Sequence, residues 1–146
     1  MFIRLALLVF FLDQLIKFFV HRFMYPGQSF PIFKNFLHLT YVQNHGAAFG
    51  ILSGWRLTLL LVGFAALILI VYINNHVKKR DFLHIPLAII LGGSLGNIFD
   101  RLFRSYVVDY IDFRFWPVFN LADIMINVGF FLVLVQIIRS KGDDFK

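Results

Sequence analysis

Between Gly96 and Asp123 the sequence reads GNIFDRLFRSYVVDYIDFRFWPVFNLAD, and four of the chain's eight acidic residues, Asp100, Asp109, Asp112 and Asp123, fall inside it. All eight acids are Asp; Glu is absent. The stretch joins two apolar segments, and ionisable groups at the mouth of a membrane helix pair are costly enough to read as a functional site. Two carboxylates held close cannot easily both ionise, so they share a proton and supply one base and one acid near neutral pH. Such a pair can activate water against a peptide carbonyl and protonate the leaving amine, with no metal or cofactor required. Asp123 heads an apolar segment, where the field of a helix N-terminus favours its charge and leaves the proton on its partner. The connection back to Asp109 or Asp112 is long enough to fold over, and spacing leaves both open as that partner.

The elements that must position these groups are membrane helices. At 146 residues the chain suits a single domain, but 60% hydrophobic residues and a mean hydropathy of +0.78 place it in a bilayer. Four spans are predicted, over about 2–20, 57–74, 82–99 and 121–138. Connections 21–56 and 100–120 lie outside the cell membrane and loop 75–81 inside, since Lys78, Lys79 and Arg80 form the densest basic cluster. Both termini are then cytoplasmic, and the carboxylate-rich ends meet at the outer face. The net charge of +6 is spread over single residues and that one loop, so it reads as a topology signal and no nucleic-acid partner is expected. Without cysteine the chain has no disulfide, thiolate nucleophile or Cys-ligated metal. The N-terminal segment lacks a small-x-small cleavage site and reads as a retained anchor.

Several polar residues elsewhere carry two readings each. Asp13 and Lys17 are four apart with the acid first, so they share a helix face and can form an ion pair. Residues 36–42, FLHLTYV, favour a strand, and 107–113 alternate like another. Asn44-His45-Gly46-Ala47-Ala48-Phe49 permits close backbone approach but is equally a turn, and His45 has no second ligand at metal spacing. Ala88, Gly92 and Gly96 recur every fourth residue, the small-xxx-small pattern of close helix packing, with Gly93, Asn97 and Arg101 on the adjoining ridge. Asp100 ends this segment against unfavourable carbonyls and needs a partner such as Arg101 or a donor from another helix, and an Asp–Arg lock competes with a direct chemical role. Asn120 followed three residues later by Asp123 is also what a helix N-terminus requires.

Five motifs occur in order: D-Q-x-x-K at Asp13, Gln14 and Lys17; N-x-G-A-A-F at Asn44 to Phe49; G-N-x-x-D-R at Gly96 to Arg101; V-V-D-Y at Val107 to Tyr110; and F-N-x-A-D at Phe119 to Asp123. Together, over most of the chain, they resemble lipoprotein signal peptidase, the type II signal peptidase of bacteria. The resemblance implies that Asp109 and Asp123 are the catalytic pair. It implies that Asn44, Gly46, Asn97, Asp100, Arg101, Asn120 and Ala122 position substrate and dyad, while Asp13 and Lys17 give structural support. It also implies an all-α integral membrane fold: a four-transmembrane-helix bundle with a small extracytoplasmic β-element and a short amphipathic helix near Ala47 to Trp55. The expected reaction is removal of the signal peptide from a prolipoprotein whose cysteine bears a diacylglyceryl group. The expected setting is the bacterial inner membrane, with membrane lipid as partner, a monomeric enzyme, no cofactor or metal, and globomycin-type inhibition. The Asp109-to-Asp123 connection is a few residues shorter than the family leads one to expect.

The alternative from another class is a small proton- or ion-coupled carrier, since intramembrane Asp and Lys also build ion pathways. Four spans without an internal repeat make a poor alternating-access scaffold. A non-catalytic membrane subunit is a third reading, under which Asp109→Asn would be harmless.

Overall fold

The computed structural model describes residues 1–46, 53–77 and 82–143. The elements run α1 (Phe2–Phe23), β1 (Ser29–Phe33), β2 (Leu37–Asn44), α2 (Arg56–His76), α3 (His84–Phe103), β3 (Val107–Asp112) and α4 (Leu121–Asp143). The amphipathic helix expected near Ala47 to Trp55 falls largely on residues outside those described, as does the basic cluster Lys78 to Arg80.

Among the described residues α2, α3 and α4 are long and apolar enough to cross a membrane. α1 matches them in length at 22 residues but carries Asp13 and Lys17, both 0% exposed. These two point into the bundle, while Leu8, Phe11, Leu15 and Phe18 face outward. α3 is the hub. Of its most apolar stretch 61% is buried, against 6% and 11% in α2 and α4, so the latter two leave most of their apolar surface outside.

The small residues of α3 explain that centrality. A side chain at Gly92 would strike the carbonyl of Ala6 and the side chain of Val9, and one at Gly96 would strike Asp13 Oδ2. On the next ridge, a Cβ at Gly93 would lie 2.6 Å from the Ala122 carbonyl. One ridge therefore seats α1 and the other seats α4, and the missing side chains let both backbones approach. Spans end later than the sequence predicts: α3 continues to Phe103, which places Asp100 and Arg101 in its last turn.

At one end of the bundle lies an antiparallel sheet of order β1-β2-β3. Ser105 adopts φ 72° just past α3 and turns the chain back into β3. The left-handed conformation at that position is the common way to end a helix. The expected alternation in β3 is absent from its burial, because both faces are covered. Val108 and Tyr110 pack with Val20, Met24 and Tyr41, while Val107 and Asp109 on the other face line a cleft. Phe119 pairs with Ile111 at the strand's free edge, and this short bridge delivers the chain to the start of α4.

Candidate functional site

Asp109 sits on β3, 2% exposed. In the β2–β3 register Val42 faces Asp109 and Asn44 faces Val107, so Asn44 is the diagonal neighbour of Asp109 on the same face. Its Nδ2 donates to Asp109 Oδ2 at 2.9 Å, and its Oδ1 accepts from the Gly46 N–H at 2.9 Å, which fixes the amide. The other oxygen, Asp109 Oδ1, accepts from Asn120 Nδ2 at 2.6 Å.

Asp123 lies in the first turn of α4, whose opening N–H groups are all met by side chains. Leu121 N donates to Tyr110 Oη at 3.1 Å, Ala122 N to Asp13 Oδ1 at 3.0 Å and Asp123 N to Asn120 Oδ1 at 3.0 Å. Asn120 N donates back to Asp123 Oδ2 at 3.2 Å, completing a reciprocal capping box. The remaining Asp123 oxygen, Oδ1, accepts from Asn97 Nδ2 at 2.8 Å. Asn120 thus donates to both carboxylates, from its side chain to Asp109 and from its backbone to Asp123. Ala122 is 0% exposed against the small ridges of α3, where a larger side chain would push α4 away.

Behind the two carboxylates is a sealed ionic cluster. Lys17 Nζ lies 2.8 Å from Asp13 Oδ2 and 3.1 Å from Asp100 Oδ2, with all three side chains 0% exposed. It also donates to Asn97 Oδ1 at 2.9 Å, so the amide of Asn97 must turn its NH₂ toward Asp123. Val108 N donates to Asp100 Oδ2 at 3.0 Å and ties β3 to the cluster. Of the two partners expected for Asp100, the donor from another helix is present as Lys17, whereas the partner on its own helix is Arg104 in place of Arg101. Neighbours in sequence point apart on a helix, whereas residues four apart share a face. Arg101 instead donates from Nη2 to the Gly46 carbonyl at 3.0 Å and lines the cleft.

That cleft has a volume of about 550 Å³ and exposes Asp109, Asp123, Asn44, Asn97 and Arg101 together. Val118, Phe119, Ile124, Ile126 and Val128 make much of the rest of its lining apolar. Burial and the negative charge of Asp123 push Asp109 up to about 7, against hydrogen bonds from Asn44 and Asn120 that pull it down. Such a carboxyl can hold a proton at neutral pH beside a second carboxylate. Asp112 is placed elsewhere, with Thr40 Oγ1 donating at 2.7 Å and Arg114 Nη1 at 3.2 Å. Burial raises it, but these donors more than offset that and hold it below the usual carboxylate range. Geometry therefore brings Asp109, and not Asp112, to Asp123. His45 lies against the ring of Tyr106, with centroids 5.5 Å apart. Among the described residues no cluster of His, Cys or carboxylates is placed to hold a metal ion.

Two contributors, Arg104 and Asn127, escaped the sequence reading, and Gln14 stood in it only as part of a motif, without a role. Arg104 stands four residues after Asp100, and Gln14 donates to Asp13, Asp100 and the Gly96 carbonyl. Asn127, four residues after Asp123, lines the cleft. The helical spacing of four from an already suspected Asp was the available signal for Arg104 and Asn127.

A family model described as signal peptidase (SPase) II matches residues 5–139. The lipoprotein signal peptidase of Moorella thermoacetica is 43% identical, with 98% of this chain and 96% of that protein covered. That of Halothermothrix orenii is 41% identical, covering 93% and 94%. A solved bacterial membrane enzyme superposes with a TM-score of 0.89 at 31% identity, covering 97% of this chain and 90% of the other. A second superposes at 0.82 with 33% identity, covering 93% and 91%. Its helices, its membrane-enzyme neighbours and the near full-length match agree: this multi-pass membrane protein belongs to the signal peptidase II family.

Proposed function

We propose that the protein is an intramembrane aspartic endopeptidase that removes the signal peptide from diacylglyceryl-modified prolipoproteins, cutting just before the lipidated cysteine, with Asp109 and Asp123 as the reacting pair. The observation that carries this is the shared cleft in which Asn120 donates to both carboxylates while, among the described residues, no cation is hydrogen-bonded to either. Asp123, at the head of α4, acts as the base. It takes a proton from a water, whose oxygen attacks the scissile carbonyl. Asp109, holding a proton near neutral pH, donates a hydrogen bond to that carbonyl oxygen. As the tetrahedral intermediate collapses, the C–N bond breaks and the proton gained by Asp123 passes to the leaving amine of the cysteine. Arg101 lines the same cleft and faces the substrate, while Asn44, Asn97 and Asn120 keep both carboxylates aimed.

The setting follows from the same elements. α1 turns its ions inward and its apolar residues outward, which supports counting it as a fourth span. With four spans the sheet and the reacting pair sit at the extracytoplasmic face of the bacterial inner membrane and both termini are cytoplasmic. The apolar wall of α4 suits acyl chains and the hydrophobic signal segment, and globomycin-type cyclic peptides are expected in the same cleft. A monomer contains every group named. The carrier reading fits less well, since Lys17 and Asp13 are sealed from the cleft at 0% exposure and offer no ion path.

The test is cleavage of a purified lipidated prolipoprotein by the solubilised protein beside Asp109→Asn and Asp123→Asn. Native protein should cut before the lipidated cysteine, and each variant, with unfolding unchanged, should lose at least about 10²–10⁴-fold in rate. Normal cleavage by either variant would remove that residue from the mechanism.

A further inference from the structure

α4 carries one amide into an otherwise apolar wall. Asn127 lies one turn beyond Asp123, lines the same cleft, and has Ile124, Ile126 and Val128 as its neighbours there. Its Nδ2 donates to the Asp123 carbonyl at 2.9 Å, an i to i−4 bond along its own helix. Its Oδ1 takes no hydrogen bond among the described residues, and the residue is exposed. A polar side chain on a span of mean hydropathy 2.2 needs a reason to be there, because lipid offers its acceptor nothing.

The reaction supplies one. A signal peptide crosses the bilayer as a helix, with each N–H bonded within the segment. For its last peptide bond to reach Asp109 and Asp123, the final turn must unwind. That frees backbone N–H groups at membrane depth, where an unmet donor is expensive. We propose that Asn127 is a substrate-positioning residue whose Oδ1 accepts one of these freed N–H groups from the signal-peptide side of the cut. The proposal rests on Asp109 and Asp123 being the reacting pair. Four residues of α4 rise about 6 Å, and an extended strand covers about 3.3 Å per residue. The N–H in question is then about two residues before the cleaved bond.

The experiment combines Asn127→Leu and Asn127→Ser with substrates in which single backbone N–H groups before the cut are replaced by ester oxygen. Asn127→Leu should raise KM about tenfold, the value of one hydrogen bond. The rate constant kcat and the pH profile should stay near native, and Asn127→Ser, which keeps an acceptor, should recover part of the loss. In native protein one ester position, about two residues before the cut, should carry the same penalty, and that ester should add nothing in Asn127→Leu. An unchanged KM in Asn127→Leu, or ester penalties that multiply with it at every position, would overturn the proposal. So would a shifted pH profile, which would mean that Asn127 acts through Asp123. Loss of the dyad reading would show separately, as continued cleavage by Asp109→Asn or Asp123→Asn.

Discussion

Asp13 and Asp100 share a hydrogen-bonded network with Asp109 and Asp123, yet the two pairs live in different chemistry. Asp13 and Asp100 are 0% exposed and meet Lys17, while Asp100 also meets Arg104. Two acids and two bases balance formally, and neither carboxylate lines the cleft. Asp109 and Asp123 are held by amides: Asn44 and the Asn120 side chain on one, Asn97 and the Asn120 backbone on the other. Neutral donors aim a carboxylate without cancelling its charge, which is the condition that the proposed sharing of one proton requires. On the proposed reading, an identical side chain becomes a lock or a reagent according to whether its hydrogen-bonded partner is a cation or an amide. The two sets meet at Asn97, which accepts from Lys17 and donates to Asp123.

The largest expected effect comes from breaking the lock. Lys17→Met leaves Asp13 and Asp100 facing each other without their common cation, and removing one partner of a buried pair costs about 3–5 kcal/mol. Denaturation in detergent should show that loss, whereas Asp109→Asn, which replaces a carboxyl hydrogen-bonded only to amides, should cost far less. If the two variants were equally destabilising, the contrast between lock and reagent would fail.

The next effect is a pH dependence of stability that belongs to the reagent. Folding raises Asp109 from 3.8 to about 7, so the native state retains a proton that the unfolded chain has already lost. Stability from this group is therefore fully present below about pH 4 and declines as pH rises through about 7, with a slope of about 1.4 kcal/mol per pH unit between. Unfolding measured across that window should show the decline in native protein, and Asp109→Asn should flatten it. An unchanged slope would place the titrating group elsewhere.

The smallest effect is expected at Asp112, the carboxylate nearest in sequence to Asp109. It is bonded to Thr40 and Arg114 on the sheet and does not line the cleft. Cleavage by Asp112→Asn should stay within about threefold of native, as for substitutions away from the machinery. A loss comparable to that of Asp109→Asn would blur the boundary of the site.

Much of this was legible in the sequence, for reasons that differ by residue. The Asp13–Lys17 pair, the small-residue ridges of α3 and the Asn120–Asp123 cap are local patterns of helix spacing, and all three appear where that spacing puts them. The cap also settles two readings at once, since Asp123 closes a capping box and lines the cleft. The choice of Asp109 over Asp112 was not legible from spacing. It depends on the β2–β3 register, which sets Asn44 diagonal to Asp109, and register is a long-range property. For Asp100 the donor from another helix is there in Lys17, while the partner on its own helix is Arg104 and not Arg101, because residues four apart, not adjacent ones, share a helix face. Even burial along β3 could not be read from the strand alone, because the second face is covered by a cleft wall that the rest of the chain builds.

Burial and the neighbouring Asp123 let the Asp109 carboxyl at the cleft keep a proton near neutrality. Infrared difference spectra of the carboxyl C=O stretch, recorded while pH is stepped through neutrality, test it directly. A protonated-carboxyl band should disappear with a midpoint of about 7, be absent in Asp109→Asn and be retained in Asp112→Asn. No such band in native protein, or a band that survives in Asp109→Asn, would contradict it.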